Sequence, residues 1–222
     1  RLLEAREMEA LQTMSAFFVH DLKNTVSTLS LMLQNLPRHF DDPAFRQDAL
    51  DAIAKIVDKI NAVIRRLTVL RQKLEIRQEE TDLCEIVQRT LESLDPDRRA
   101  RIVSRLQPLP RVRVDAEQVQ NVLTNLVLNA FEAIGDKGSV EIETGHRTGF
   151  ALVSVIDKGC GMSADFIEKS LFRPFKTTKK QGMGIGLFHS RMIVDAHGGR
   201  IEVESQEGVG TTFRVLFPVQ GG

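Results

Sequence analysis

The stretch "DAEQVQNVLTNLVLNAFEAIG", from Asp115 to Gly135, decides how the second part of the chain folds. Asp115 carries the side-chain oxygen that helix N-caps favour, and Gly135 is of the type that ends helices, so the stretch predicts one long helix. Asn125 and Asn129 are four residues apart and therefore project from the same face of that helix. Their amide oxygens could serve a metal ion or phosphates, although a lone pair of asparagines is more often an incidental polar feature.

Composition and charge narrow the classes of protein to which this chain can belong. The 222 residues are 27% charged, and 30 Lys and Arg balance 30 Asp and Glu, which argues against a nucleic-acid binder or a polybasic membrane arm. Cys84 and Cys160 have no metal-ligand spacing and predict a reducing compartment, so a cytoplasmic location is expected. No apolar run reaches the roughly 20 residues that span a bilayer. Arg1 starts the chain within a helical pattern, so we expect a piece of a longer protein whose upstream segments carry any membrane contact.

Two apolar seams in the first part of the chain predict a helical hairpin. Successive members of each seam are mostly three or four residues apart. The first seam comprises Leu11, Ser15, Phe18, Leu22, Thr25, Leu29, Met32 and Leu36, and the second comprises Leu50, Ile53, Val57, Ile60, Ile64, Leu67 and Leu74. "PRHFDDP" (37–43) breaks the helix between them, because both prolines resist helical continuation. A single hairpin can bury only one seam, so we expect a homodimer in which two hairpins complete a four-helix bundle.

The sequence changes character after "RQEETD", where strands and helices begin to mix. Asp82 predicts a helix cap, and the helix should continue to about Leu94 until "DPDRRA" ends it. Five stretches predict strands: "RIVSRL", "SVEIETG", "FALVSVID", "RIEVESQ" and "TTFRVLFP". Since strict βαβ alternation is lacking, we predict an α+β layer sandwich with a mostly antiparallel sheet over 78–222, separate from a helical hairpin over 1–77.

Three glycine-containing motifs follow in this second part. "DKGCGM" (157–162) comes directly after an apolar strand, where glycines permit a ligand to approach the backbone and the carboxylate can accept a hydrogen bond from an exocyclic amine. "LFRPFKTTKKQGMGIGL" (171–187) leads into a helix from about 184 to 197, whose start can hold phosphate. "GVGTTF" (208–213) runs into the last strand. Each motif alone is also compatible with an ordinary turn or surface loop, and "GMGIG" matches neither a Rossmann turn nor a P-loop.

Together, in their order and spacing, the motifs resemble the sensor histidine kinases of bacterial two-component signalling. "HDLKN" (20–24) resembles the phosphoacceptor H box, "NLVLNAFEA" (125–133) the N box and "DKGCGM" the G1 box. "FRPF" resembles the F box, "GMGIGL" the G2 box and "GVGTTF" the G3 box. The resemblance implies a HisKA-like dimerisation and phosphotransfer hairpin over 1–77, followed by a Bergerat (GHKL, HATPase_c) ATP-binding domain over 78–222. It also implies ATP-dependent protein-histidine kinase activity, with ATP and Mg²⁺ as cofactors.

The same resemblance implies the site residues of the ATP-binding domain. Asn129 is implied as the Mg²⁺ ligand, and Asp157 as the acceptor for the adenine amino group. Asn125 occupies the position where related ATPases often carry a Glu that activates water, and an amide cannot act as a general base, which suits transfer to a side chain. The implied nucleotide-binding residues are Asn125, Asn129, Asp157, Gly159, Gly161, Lys176, Thr177, Thr178, Gly182, Gly184, Gly186, Leu187 and Thr211. A short lid is implied from about Arg173 to Met183.

The H box carries the implied transfer chemistry. His20 lies two residues past the seam position Phe18 and is therefore expected to face outward, where its imidazole can attack the γ-phosphate. The resemblance implies that Asp21 accepts or orients the proton on the other ring nitrogen. It implies that Asn24 positions water for dephosphorylation of the partner, so the chain is expected to be both kinase and phosphatase. The implied partner is the receiver domain of a response regulator, whose Asp accepts the phosphoryl group.

One departure from the family pattern concerns the phosphoacceptor helix. Thr25 stands where many members carry a proline five residues after the phosphoacceptor, so the helix need not kink there. This leaves open how the bundle bends between kinase and phosphatase states. Whether phosphorylation occurs within one chain or across the dimer depends on the loop over 36–44 and stays open too. The H-box variant and the proline-free helix also resemble a subgroup associated with the exosortase and PEP-CTERM surface-export system.

Three other classes of protein share parts of this pattern. Non-kinase ATPases of the superfamily, such as chaperones and mismatch-repair clamps, usually need the water-activating Glu and lack a phosphoacceptor hairpin. A scaffold without turnover would not need Asn129, Asp157 and the glycine lid, and Ser/Thr anti-sigma kinases have no reason to carry His20. Cys160 lies within the G1 box, where it could line the nucleotide pocket, and it is expected to pack rather than to take part in redox chemistry. Structural or surface positions are expected for the four remaining histidines, His39, His146, His189 and His197.

Overall fold

The computed structural model describes residues 23, 26–36, 42, 45, 47–57, 60, 76–136, 138–174, 176, 177 and 184–219. The chain divides into two compact units, Arg1–Lys73 and Leu74–Gly222. The boundary that the sequence predicts, after residue 77, lies slightly further along the chain than this division. The following predicted site residues lie outside the described residues: His20, Asp21, Asn24, Thr178 and Gly182. Thr25 and His39 also lie outside them.

The described part of the first unit contains two helical stretches, 26–36 (α1) and 47–57 (α2). The two stretches lie side by side, since one shallow pocket is lined by Thr28, Leu31, Met32, Asn35, Phe45, Asp48 and Ala49. Between 36% and 61% of the surface stays exposed at the seam residues Leu29, Leu50, Ile53, Val57 and Ile60. These described seam residues are therefore not buried within a single chain.

The second unit mixes helices and strands. In chain order its elements are β1 (Glu79–Thr81), α3 (Leu83–Glu92), α4 (Pro96–Arg99), β2 (Ile102–Arg105), β3 (Val112–Val114), α5 (Ala116–Ile134), β4 (Val140–Arg147), β5 (Phe150–Asp157), α6 (Ala164–Lys169), α7 (Gly186–Ala196), β6 (Arg200–Gln206) and β7 (Gly210–Pro218). Five strands form one sheet in the order β2-β4-β5-β7-β6. Only β2 and β4 pair in parallel, so the prediction of a mostly antiparallel sheet is confirmed. β1 and β3 form a separate antiparallel pair.

Side-chain and glycine caps mark the ends of α3 and α5, the two helices that the sequence predicts in the first half of this unit. The Asp115 carboxylate accepts a hydrogen bond from the Gln118 N–H at 3.1 Å, and α5 ends at Gly135, where φ is 64°. The Asp82 carboxylate caps α3 in the same way, accepting from the Cys84 N–H at 2.8 Å. The helix α3 ends at Glu92, and "DPDRRA" then forms the short helix α4 in addition to ending α3. Its Asp–Pro start is itself a favourable helix beginning.

The hydrophobic core lies between the sheet and a layer that contains α3, α5 and α7. The inward-facing strand residues and one face of α5 are almost completely buried: Val140, Ile142, Val153, Val155, Val215, Phe217, Leu123, Leu126 and Val127. Burial of each such side chain contributes on the order of 1.5–3 kcal/mol. The opposite face of the sheet carries the ion pairs of Arg105 with Glu143 and of Arg214 with Glu204, together with the apolar pair Leu152 and Leu216. In the part of the chain that the structure describes, no helix is long and apolar enough to cross a membrane.

His197 joins the end of α7 to the start of α5. Its Nε2 accepts a hydrogen bond from the Asp115 N–H at 2.9 Å, so the proton of the neutral ring lies on Nδ1. Nδ1 then donates to the Ile193 carbonyl at 2.7 Å, and the ring packs edge-on against Phe217. The prediction that His197 is structural is confirmed.

Candidate functional site

The turn after β5 is held by its backbone against α5 and the β6–β7 hairpin. The Cys160 N–H donates to the Ala133 carbonyl at 3.2 Å, near the end of α5. The Cys160 carbonyl accepts from the Gly208 N–H at 2.8 Å. The thiol of Cys160 is exposed, so the prediction that this side chain packs is wrong. The backbone of residue 160 makes these contacts, and the side chain is left outside.

Asp157 is the buried acid at the end of β5. Only 6% of its surface is exposed, and its Oδ1 accepts a hydrogen bond from the Gly159 N–H at 2.8 Å. In the sheet it is the register partner of Thr211 on β7, which is also buried. An ionised carboxylate has two acceptor oxygens, so it can accept from a ligand as well as from the chain.

Gly159 and Gly161 allow the chain to pack against itself. A Cβ at Gly159 would lie 2.6 Å from the Ala133 carbonyl oxygen. Gly161 has a φ of 64°, and a Cβ there would lie 1.9 Å from the Gln206 carbonyl oxygen. The sequence suggested these glycines for the approach of a ligand, and the structure adds that both are required for contact between neighbouring backbones.

Ser205, on β6, is a polar residue of the site that the sequence analysis missed. Its Oγ accepts a hydrogen bond from the Met162 N–H at 2.9 Å and donates to the Gly210 carbonyl at 3.0 Å. The Thr211 hydroxyl lies 2.8 Å from the Ser205 Oγ. Because Ser205 already donates its proton to Gly210, Thr211 is the donor in this pair. One signal was available, because Ser205 follows Ile201 and Val203 at alternate positions of a strand.

Asn125 lies against the first turn of α7. Its Nδ2 donates to the Oγ of Ser190 at 3.0 Å, and Ser190 is only 2% exposed. A Cβ at Gly186 would lie 2.3 Å from the Asn125 Oδ1. The residue before α7 is Ile185, whose apolar side chain makes no capping hydrogen bond to this helix start. Sequence reasoning named Asn125 and Gly186 separately and missed Ser190.

The remaining predicted binding residues surround these elements. Asn129 is half-buried on α5, one turn after Asn125, and Gly184 has a left-handed φ of 63°. Leu187 is partly buried and packs against the core. Within the predicted lid, the side chains of Lys176 and Thr177 are exposed.

The segment before the lid is packed against α7. Leu171 is buried in the core, and the guanidinium of Arg191 lies 5.2 Å from the ring centre of Phe172. Asp195 holds that guanidinium through both carboxylate oxygens, at 2.9 and 3.0 Å. This is a cation–π contact with a fixed cation, which orients the aromatic ring.

Ionisable groups near the site include one perturbed histidine. Burial lowers the pKa of His189 on α7, because the charged imidazolium is the form that loses solvation. Within the described ranges, no group of three or more His, Cys, Asp or Glu could hold a metal ion. The Asn129 side chain, half-buried on α5, offers an amide oxygen as a metal donor. Mg²⁺ accepts such a donor, since it retains waters and commonly binds substrate phosphates.

The contacts above join four separate sequence motifs into one site. α5 contacts the first turn of α7 through Asn125, and it contacts the turn after β5 through Ala133. That turn contacts the β6–β7 hairpin through Gly208, and Asp157 pairs with Thr211. The site therefore has a buried carboxylate at one end and the start of α7 at the other. Chemically, it can accept a hydrogen bond from an amine and donate several to an anion.

Comparison with known sequences identifies relatives along the whole chain. Residues 114–221 match the family described as histidine kinase-, DNA gyrase B-, and HSP90-like ATPase. The signal transduction histidine-protein kinase AtoS of Escherichia coli K12 is 30% identical over 224 residues, covering 99% of this chain and 36% of the relative. The sensor histidine kinase ZraS of the same organism is 30% identical over 217 residues, covering 96% of this chain and 46% of the relative. The chain thus spans less than half the length of these curated relatives.

Solved structures show the same similarity. The catalytic domain of histidine kinase ThkA is 33% identical with a TM-score of 0.57, covering 64% of this chain and 96% of that structure. Histidine kinase ThkA in complex with response regulator protein TrrA covers 98% of this chain and 65% of that chain, with a TM-score of 0.72. Its identity is 23%, so that second match concerns the fold alone.

Proposed function

This chain belongs to the sensor histidine kinases of two-component signalling, and we propose that it uses ATP to phosphorylate His20. The observation that carries the proposal is the assembly of the N, G1, G2 and G3 motifs into one site through direct contacts. Asn125 contacts Gly186, the backbone of residue 160 contacts Ala133 and Gly208, and Asp157 pairs with Thr211. In this proposal residues 1–77 carry dimerisation and phosphotransfer, and 78–222 bind the nucleotide.

The nucleotide is proposed to lie between Asp157 and the start of α7. The buried Asp157 carboxylate accepts a hydrogen bond from the adenine amino group in addition to the one that it accepts from the Gly159 N–H. Thr211 adds a hydroxyl beside that carboxylate. The triphosphate lies at the first turn of α7, where N–H groups and the helix dipole favour negative charge. The proposed remaining contacts are made by Gly161, Lys176, Thr177, Thr178, Gly182, Gly184 and Leu187.

Asn129 is proposed to hold the Mg²⁺ that accompanies the triphosphate. It is half-buried on the same face of α5 as Asn125, and its amide oxygen is a hard donor of the kind that Mg²⁺ prefers. When bound, the ion supplies charge neutralisation of the phosphate oxygens. Asn125 cannot act as a general base toward water, which favours transfer to a side chain over hydrolysis.

His20 is the proposed nucleophile. A neutral ring nitrogen forms a bond to the γ-phosphorus while the bond to the bridging oxygen breaks, and the electron pair leaves with ADP. Asp21 is proposed to hold the proton on the other ring nitrogen, which orients the ring. The phosphoryl group then passes to an Asp of a response-regulator receiver domain. Asn24 is proposed to position water for a separate reaction, the hydrolysis of that phosphoaspartate.

A homodimer is proposed for the helical hairpin. Its support is the exposed apolar seam of α1 and α2, including Leu50 at 61% and Val57 at 49% exposure, which a second copy could cover. Exposed apolar rows of this kind are typical of association surfaces. Membership of the exosortase-associated subgroup stays a prediction from the H box.

The experiment that tests the proposal is incubation of the chain with γ-labelled ATP and Mg²⁺. We expect protein-bound label that is labile in acid and stable in base, and that is lost in His20→Ala. His146→Ala is the matched control, since His146 is an exposed histidine on β4, and it should retain the label. Label that persists in His20→Ala would move the acceptor elsewhere, and absence of label from a parent that binds ATP would refute the kinase assignment.

A further inference from the structure

A partly buried hydrogen bond between two helices lies at the proposed phosphate end of the site. It joins Nδ2 of Asn125 on α5 to Oγ of Ser190 on α7, at 3.0 Å. Ser190 is 2% exposed and Asn125 is half-buried, so water has little access to the Ser190 end of this bond. A Cβ added at Gly186 would lie 2.3 Å from Oδ1 of the same Asn125 side chain. One amide therefore contacts α7 at two points.

The two contact points lie one helical turn apart. Gly186 is the first residue of α7 and Ser190 lies four residues later, so both face α5 from the same side of the helix. The hydrogen bond to Ser190 and the close approach to Gly186 act at successive turns of α7. Together they restrict both the position and the tilt of the helix start relative to α5. The first N–H groups of α7 move with that turn.

We propose that Ser190 is a positioning residue for ATP. Through Asn125, its hydroxyl sets where the first turn of α7 lies, and that turn supplies the donors for the triphosphate. The inference rests on the proposed function, because it needs a nucleotide at this site. It also explains why a polar residue occupies a buried position on α7 alongside Ile193 and Val194.

The first test compares Ser190→Ala with Thr124→Val in the full 222-residue chain. Thr124 is the matched control, because its hydroxyl donates to Gln120 within α5 and connects no second element. We expect Ser190→Ala to raise the Kd for ATP several-fold and at most about tenfold, because the lost hydrogen bond contributes about 1 kcal/mol, and to leave the Kd for adenosine within about twofold. Thr124→Val should leave both within about twofold.

Two results would overturn the inference. One is an unchanged Kd for ATP in Ser190→Ala, and the other is an equal loss of affinity for ATP and adenosine, which indicates general destabilisation. If the parent binds ATP without phosphorylating His20, the proposed kinase activity fails, yet the Kd comparison still decides the role of Ser190. A parent that does not bind ATP would remove the basis of both.

A double-mutant cycle tests the second contact point independently. Gly186 does not have a left-handed φ, so its backbone conformation suits alanine. The three atoms nearest to an added Cβ all belong to Asn125. We expect Gly186→Ala alone to weaken ATP binding, because the first turn of α7 or the amide must move. In the Asn125→Ala background the same change should cost much less. Additive effects on the Kd for ATP would contradict the contact.

Discussion

Replacing Gly161 by alanine tests whether the turn after β5 is held by backbone contact. Gly161 has a left-handed φ of 64°, and the added Cβ would lie 1.9 Å from the Gln206 carbonyl oxygen. A carbon–oxygen contact needs about 3.3 Å, so the turn and the β6–β7 hairpin must separate by more than about 1 Å. Because the obstructing atom belongs to the backbone, no side-chain rotation can relieve the contact.

The expected loss of stability has three parts. The left-handed conformation costs an L-residue about 1–2 kcal/mol. Separation of the turn from the hairpin also breaks the Gly208 N–H to Cys160 carbonyl bond, at 2.8 Å, and the Met162 N–H to Ser205 bond, at 2.9 Å. Each contributes about 1 kcal/mol net. Gly161→Ala should therefore lower the free energy of unfolding by about 3–4 kcal/mol.

The measurement is urea unfolding followed by far-UV circular dichroism, since the chain has no Trp and no Tyr for fluorescence. Gly149→Ala is the matched control, because Gly149 has a φ of 77° and no atom within 4 Å of its added Cβ. Gly149→Ala should lower the free energy of unfolding only by the cost of the left-handed conformation, about 1–2 kcal/mol. Equal losses in the two variants would refute the contact argument and leave backbone strain as the whole effect.

Two histidines give further predictions. His197→Ala should lower the free energy of unfolding by about 3 kcal/mol, measured by the same urea titration, because it leaves the partly buried Asp115 N–H without its His197 acceptor and empties space beside Phe217. His146→Ala, on the surface, should change the free energy of unfolding by less than about 0.5 kcal/mol. Since burial lowers the pKa of His189 in the folded chain, the unfolded state binds a proton first as pH falls below about 6.5, and stability should decline there. His189→Leu should flatten that decline in unfolding titrations between about pH 7.5 and 5, and an unchanged slope would contradict the assignment.

Several elements of the second unit could be predicted because their signals are local. The Asp115 cap and the Gly135 stop mark α5 within the chain itself, since capping involves only residues a few positions apart. β1 and β3 were missed because three residues are too few to show alternation, and each strand forms only by pairing with the other. The helix α4 was read only as an end of α3, although its Asp–Pro start is also a local signal.

The sequence by itself determined the family, the order of the motifs and the chemical identity of Asn129 and Asp157. These depend on residue type and spacing, which are properties of the chain alone. Only the tertiary structure showed that Asn125 binds Ser190 and that Gly161 lies against Gln206. The partners are 65 residues apart in the first case. Contacts over such separations arise from packing of whole elements, so no local pattern in the sequence can specify them.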